Sequence, residues 1–156
     1  MKKLPQLKEE YQQFLDNIPQ YISEVKTILG KDTLSYSSDE VNEVQFYYHR
    51  NYAKLDEIGL DDLRKRVKAY FGTAWLWHFG GKWRLETHKG YDTYGAICIE
   101  EYGGTNYPWV AMDIQHWLNA VERGDLMENL GDSFARQQRY QNLSPEYVLT
   151  PVRNIQ

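Results

Sequence analysis

One change of periodicity constrains the fold of this chain more than any other feature. A long run of large apolar residues recurs at intervals of three and four: Leu60, Leu63, Val67, Tyr70, Ala74 and Trp77. After Gly80 and Gly81 the interval becomes two, and Trp83, Leu85 and Thr87 alternate with charged residues. The first spacing is typical of a helix with one buried face, and the second of a strand with one face in water. The sequence therefore predicts a long helix that turns sharply into a small sheet.

Gly72 lies inside this predicted helix. A glycine at such a position costs about 1 kcal/mol relative to alanine. We therefore expect another backbone to approach the helix closely at Gly72, which would place this helix at the centre of the fold.

Two helices are predicted upstream. In the first, apolar residues at helical spacing begin at Leu4, and Pro19 predicts a bend or a restart before the helix ends at Gly30. The second begins near Asp39, where Ser37 and Glu40 are spaced as in a capping box, and it carries a buried stripe that includes Leu55. Gly59 is expected to end it.

Strands and helices are also predicted downstream. Residues 94–99 form a continuous apolar run, residues 107–111 are a third candidate strand, and Asp113 can cap a helix that ends at Gly124. A weaker helix follows from Asp125. The order of helices, strands and helices predicts one α+β domain over residues 1–156, with a small, mainly antiparallel sheet and a tail from about residue 136 that is loosely attached.

The composition excludes several classes of protein. With 42% hydrophobic and 26% charged residues, the chain is long enough and apolar enough for one folded core. No apolar run approaches the roughly eighteen residues of a membrane helix, so we expect a cytoplasmic protein without membrane contact. The net charge of -4 argues against nucleic acid as a partner.

Charge is distributed in blocks along the chain. Residues 36–63 carry seven acids and two bases, residues 64–90 one acid and seven bases, and residues 91–132 eight acids and one base. Two interpretations stay open. Such blocks could steer a charged partner, or they could be solvated helix faces that neutralise one another in the fold.

Few residues suggest catalysis or metal binding. The four histidines are scattered and Cys98 is the single cysteine, so we expect no metal and no cofactor. Cys98 lies in an apolar run, where burial would raise its pKa and make it a core residue rather than a nucleophile. Glu100 and Glu101 could act as the carboxylates of a hydrolase, but neighbouring strand residues point to opposite faces.

An acidic and aromatic surface remains as the candidate partner-binding site. Aromatic side chains supply desolvated anchors at protein interfaces, and acids steer a basic partner. The alternative is an ordinary helix exterior. The residues proposed for this surface are Asp39, Glu40, Glu43, Phe46, Tyr47, Asp56 and Glu57 on the second helix, joined by Glu100, Glu101 and Tyr102.

Residues 69–75 read Ala-Tyr-Phe-Gly-Thr-Ala-Trp, and residues 79–83 read Phe-Gly-Gly-Lys-Trp. These two motifs resemble those of a family of small bacterial domains. The likeness extends over roughly residues 60–125, through residues 94–99, the Tyr-Pro-Trp at 107–109 and the Glu-Arg-Gly at 122–124. In that family Gly72, Gly80, Gly81 and Trp83 match structural positions, and no catalytic residue is carried over.

The resemblance implies a function. Small acidic α+β domains of this kind are often immunity proteins, which neutralise the toxins of competing bacterial cells. The chain is accordingly expected to bind a protein, most simply a basic toxin domain whose active site it would occlude, without catalysis. An interaction module of another bacterial system is the alternative, followed by a hydrolase that uses a carboxylate such as Glu100 or Glu101. The oligomeric state stays open.

Overall fold

The computed structural model describes residues 1–104 and 111–143. Within them the chain forms five α-helices and a three-stranded sheet, in an order that confirms the predicted α+β class. The elements are α1 (Leu4–Leu29), α2 (Ser38–Asn51), α3 (Glu57–Phe79), β1 (Lys82–Leu85), β2 (Ile97–Glu100), β3 (Ala111–Asp113), α4 (Ile114–Arg123) and α5 (Leu130–Leu143). One short 3-10 turn, Tyr52–Lys54, follows α2.

Helix α1 continues through Pro19 from Leu4 to Leu29, so the predicted restart does not occur. Proline removes one backbone hydrogen bond from a helix. Buried residues on both sides of it, Phe14 and Ile18 before and Ile22 and Val25 after, belong to the core, and α1 packs along α3. This shared burial holds the helix together across Pro19.

The second helix is shorter than its pattern predicts. It ends at Asn51 rather than at Gly59, because Asp56 starts a new helix by accepting a hydrogen bond from the Gly59 amide at 2.8 Å. A side-chain acceptor at this position satisfies an amide that has no partner inside the helix. Gly59 therefore lies in the first turn of α3.

Helix α3 is the central helix, as predicted. Residues 69–76 are all buried, so no face of this segment meets solvent. The reason for Gly72 differs from the expected one: it accommodates a tryptophan ring rather than another backbone. A Cβ atom there would lie 2.0 Å from Cη2 of Trp83.

The sheet has the order β1-β2-β3 and is antiparallel throughout. The turn into β1 needs two glycines with positive φ, 69° at Gly80 and 102° at Gly81. At Gly81 a Cβ would also lie 2.4 Å from the carbonyl oxygen of Glu100. Strand β2 starts at Ile97, three residues later than predicted. Of the third predicted strand, residues 107–110 lie outside the described residues.

The C-terminal helices close the core around an aromatic cluster. Asp113 caps α4 by accepting from the Gln115 amide, as predicted, and α4 ends at Gly124 in the left-handed conformation. The ring of Phe134 in α5 packs edge-on against Trp75 with centroids 4.9 Å apart. Helix α5 starts later than predicted and continues to Leu143, while residues 144–156 lie outside the described part.

Candidate functional site

The outer face of α2 carries part of the predicted acidic and aromatic surface. Asp39, Glu43 and Phe46 follow one another at intervals of four and three, so they share one side of the helix. All three are exposed, and the Phe46 side chain is 40% accessible. Lys31 Nζ lies 3.1 Å from Glu43 Oε1 and partly neutralises this face.

Glu40 does not belong to that surface. It is only 1% exposed, and its carboxylate accepts hydrogen bonds from the amides of Ser35 and Tyr36, both at 2.9 Å, and from the Tyr70 hydroxyl at 2.9 Å. Burial would raise the pKa of Glu40, but these hydrogen bonds, together with Lys31, hold it below its ordinary value. The prediction that Glu40 contacts a partner is therefore wrong, because the carboxylate instead organises the turn before α2.

The sequence contains a signal for this burial. Glu40, Val44 and Tyr48 are spaced by four, which places the glutamate on the buried side of α2. Tyr36, whose backbone has a positive φ of 53°, is held in place by the same carboxylate. A non-glycine residue in that conformation is uncommon and needs such support.

Tyr47 lies at the edge of the α2 face. Its ring is half-buried against the core, so only part of it is available to a partner. Asp56 and Glu57 stand at the start of α3, where both are exposed. Asp56 has a structural role as well, as the cap of that helix.

Exposed apolar side chains accompany these acids at the start of α3. Ile58 is 76% accessible and Leu55 is 42% accessible. The prediction that Leu55 lies on a buried stripe is wrong, because α2 ends before reaching it. Four exposed carboxylates lie in the same segment: Asp56, Glu57, Asp62 and Asp61, the last of which pairs with Lys65 Nζ at 2.7 Å. We call residues 55–62 the acidic-apolar patch.

The remaining predicted residues lie at the end of β2. Glu100 is mostly buried and bound by Arg84 Nη1 at 2.8 Å, whereas Glu101 is exposed and lies 3.3 Å from Lys82 Nζ. Lys82 also lies 3.7 Å from Glu100, so one ammonium contacts both carboxylates. The expectation that they point apart fails because Glu101 has a φ of 56° and leaves the extended conformation. Tyr102 is half-buried, with its ring 5.3 Å from that of Trp75.

The structure thus divides the predicted site residues between different elements. Asp39, Glu43 and Phe46 share the outer face of α2, and Asp56 and Glu57 begin α3. Glu100, Glu101 and Tyr102 instead adjoin the basic residues of β1. Their charges are balanced there by the ion pairs with Arg84 and Lys82, which leaves little free acidity for steering a partner.

Cys98 is a core residue, as predicted. It is 2% exposed, and burial raises the pKa of its thiol to about 12. Such a thiol is protonated and unreactive near neutral pH. In residues 1–104 and 111–143, no group of three or more His, Cys, Asp or Glu side chains is arranged to hold a metal ion.

Sequence reasoning missed a polar cleft of about 760 Å³. Its walls are α1, the first half of α3, residues 92–97 and the start of α4. Charged side chains and amide side chains dominate the lining, and Lys68 of α3 is among them. Because the walls come from four distant parts of the chain, no local spacing could reveal the cleft.

Comparison with models of known protein families gives no significant match, and neither do comparisons with curated proteins and with solved structures. The resemblance to immunity proteins therefore stays a prediction. None of the helices in the described ranges has an apolar stretch long enough to cross a bilayer.

Proposed function

We propose that this chain is a non-catalytic protein-binding domain that recognises a basic surface on its partner. The observation that carries this proposal is the acidic-apolar patch, where Leu55 and Ile58 are exposed among four carboxylates. The most specific form of the proposal is immunity, in which the chain occludes the active site of a cognate bacterial toxin.

Apolar and acidic groups have different roles in such an interface. An apolar side chain that is 76% exposed, as Ile58 is, gains the hydrophobic free energy of burial only when a partner covers it. Carboxylates around it accelerate the encounter with a positively charged partner and exclude partners of the same charge. The outer face of α2 has the same combination, with Phe46 beside Asp39 and Glu43.

Binding kinetics can test this assignment against the product of the gene adjacent to this one, the place where a cognate toxin is expected. Glu57→Lys should slow association and weaken its dependence on salt, because steering is reduced. Glu9→Lys is the matched control, since Glu9 is an exposed acid on α1. It should change the association rate much less.

The apolar anchor is tested separately. Ile58→Ala should mainly accelerate dissociation, by roughly five- to thirtyfold if 1 to 2 kcal/mol of contact is lost. Met127→Ala removes a fully exposed apolar side chain elsewhere and should leave dissociation unchanged. If the adjacent gene's product does not bind, immunity is the wrong function. If it binds the Ile58→Ala and Glu57→Lys variants as well as it binds the parent chain, the interface lies elsewhere on the chain.

A further inference from the structure

Lys68 differs from the other cations of the polar cleft. Lys2, Arg64 and Lys65 each form an ion pair, with Glu10 at 2.8 Å, Glu122 at 2.7 Å and Asp61 at 2.7 Å. Lys68 is half-buried, and in the described part of the chain no carboxylate lies within 4.0 Å of its ammonium group and no hydrogen bond holds it. It is thus an unpaired cation on the wall of a cleft.

The surroundings of Lys68 disfavour its charge. Burial lowers the pKa of its ammonium group below the ordinary value, and Arg64 and Lys65 lower it further, while Asp113 and Asp61 act in the opposite direction. The cleft also holds Lys2 just before α1, Glu10 in α1 and Asp92 in the loop before β2. An ammonium group removed from water without a partner is costly, and an anion that entered the cleft would offset that cost.

The rest of the lining suits a hydroxylated molecule. Asn17 and Gln13 of α1 face the cleft together with Gln115 and Asn119 of α4. Amide side chains both donate and accept hydrogen bonds, and Asp92 and Asp113 add acceptors. A volume of about 760 Å³ lies within the range of small-molecule sites.

We propose that this cleft binds a small hydroxylated oxyanion, a carboxylate or a phosphate ester, whose charge pairs with the Lys68 ammonium group. The amide and carboxylate side chains of the lining then hydrogen-bond the hydroxyl groups of the ligand. Asp61 lines this cleft and also belongs to the acidic-apolar patch, but Lys68 carries this proposal and Ile58 carries the other, so either can fail without the other.

Three probes with related carbon skeletons separate the contribution of the anionic group to binding from that of the hydroxyl groups. Glucose 6-phosphate carries a phosphate ester, gluconate a carboxylate, and glucose no charge. Each is titrated into the ¹⁵N-labelled full chain at constant ionic strength, and NMR follows the side-chain amides of Asn17 and Asn119 and the pKa of Lys68. At least one anion should give saturable shifts and raise the pKa of Lys68, whereas glucose should bind at least about tenfold more weakly, the value of one charge-assisted hydrogen bond.

Two variants make the test specific. Lys68→Met should weaken binding of that anion about tenfold or more, again the value of one charge-assisted hydrogen bond. Lys8→Met has the same change in net charge at an exposed site outside the cleft and should leave the affinity unchanged. The proposal is overturned if neither anion gives saturable shifts, if glucose binds as well as the anions, or if the two variants behave alike. The better probe of the two anions identifies the acidic group.

Discussion

Replacing Gly72 by alanine tests the contact that joins α3 to the sheet. The new Cβ would lie 2.0 Å from Cη2 of Trp83, 2.6 Å from Cζ2 and 2.8 Å from Cζ3. Carbon atoms in contact are normally about 3.5 to 4.0 Å apart, so the ring must retreat by more than about 1 Å. Trp83 has little room for this, because its strand pairs with Ile99 and its ring packs edge-on against Phe14.

Two opposing effects determine how much Gly72→Ala changes the free energy of unfolding. Overpacking of a core typically costs 1 to 3 kcal/mol. Because this overlap is with a fixed ring, we expect a cost at the upper end, about 3 kcal/mol. Alanine in place of glycine inside a helix returns about 1 kcal/mol. We therefore expect Gly72→Ala to lower the free energy of unfolding by about 2 kcal/mol.

The same substitution should change sign when the ring is removed. In a Trp83→Leu background the three ring atoms are absent, so only the helix preference remains and Gly72→Ala should stabilise by about 1 kcal/mol. Urea denaturation followed by circular dichroism measures the free energy of unfolding of each variant in both backgrounds. Gly59→Ala in the same helix is a control, because the three atoms closest to its new Cβ belong to Asp56 and Leu55 and none of them to a ring.

A Gly72→Ala variant as stable as the parent would show that the ring does not occupy this position. The same conclusion would follow if the substitution had equal effects in both backgrounds. Either result would remove the contact between α3 and β1 that explains the glycine.

Three further predictions concern the structural roles of single residues. Glu40→Gln should destabilise the protein by about 2 kcal/mol near neutral pH, since charge-assisted hydrogen bonds are lost. Because the folded-state pKa of Glu40 lies below its ordinary value, the difference in melting temperature between variant and parent should shrink as pH falls through that lowered pKa. A difference that does not depend on pH would contradict this role of Glu40. The Cys98 thiol, with a pKa of about 12, should react with a thiol reagent only at the rate of unfolding, and rapid labelling of the native protein would disprove its burial. Gly81→Ala should lower the urea midpoint by the equivalent of about 1 kcal/mol or more, because φ is 102° and the Glu100 carbonyl blocks the new Cβ; an unchanged midpoint would exclude this turn.

Local signals in the sequence were sufficient for much of the fold. The periodicity of residues 60–77, the caps at Ser37 and Asp113 and the glycine ends at Gly30 and Gly124 each depend on a few neighbouring residues, and the structure confirms all of them. The predictions failed where the burial of a residue depended on the point at which a helix ends. Ending α2 at Asn51 exposes Leu55, which an uninterrupted helix would have buried.

The candidate site was harder to predict for a physical reason. Glu40 was assigned to the surface because of its charge, although its spacing from Val44 and Tyr48 indicates the buried side. The partners that make its burial possible are partly distant, since Tyr70 lies thirty residues away. The residues that line the cleft around Lys68 are even further apart in the sequence, since they extend from Lys2 to Asn119.

The most direct measurement of the proposed function is cross-saturation NMR on the complex with the adjacent gene's product. With methyl-labelled chain and unlabelled partner, saturation should pass from the partner to the methyl groups of Ile58 and Leu55, which are exposed in the free chain. The buried methyl groups of Leu118 should receive none directly. Saturation at another surface, with Ile58 and Leu55 unaffected, would contradict a partner-binding role for the acidic-apolar patch.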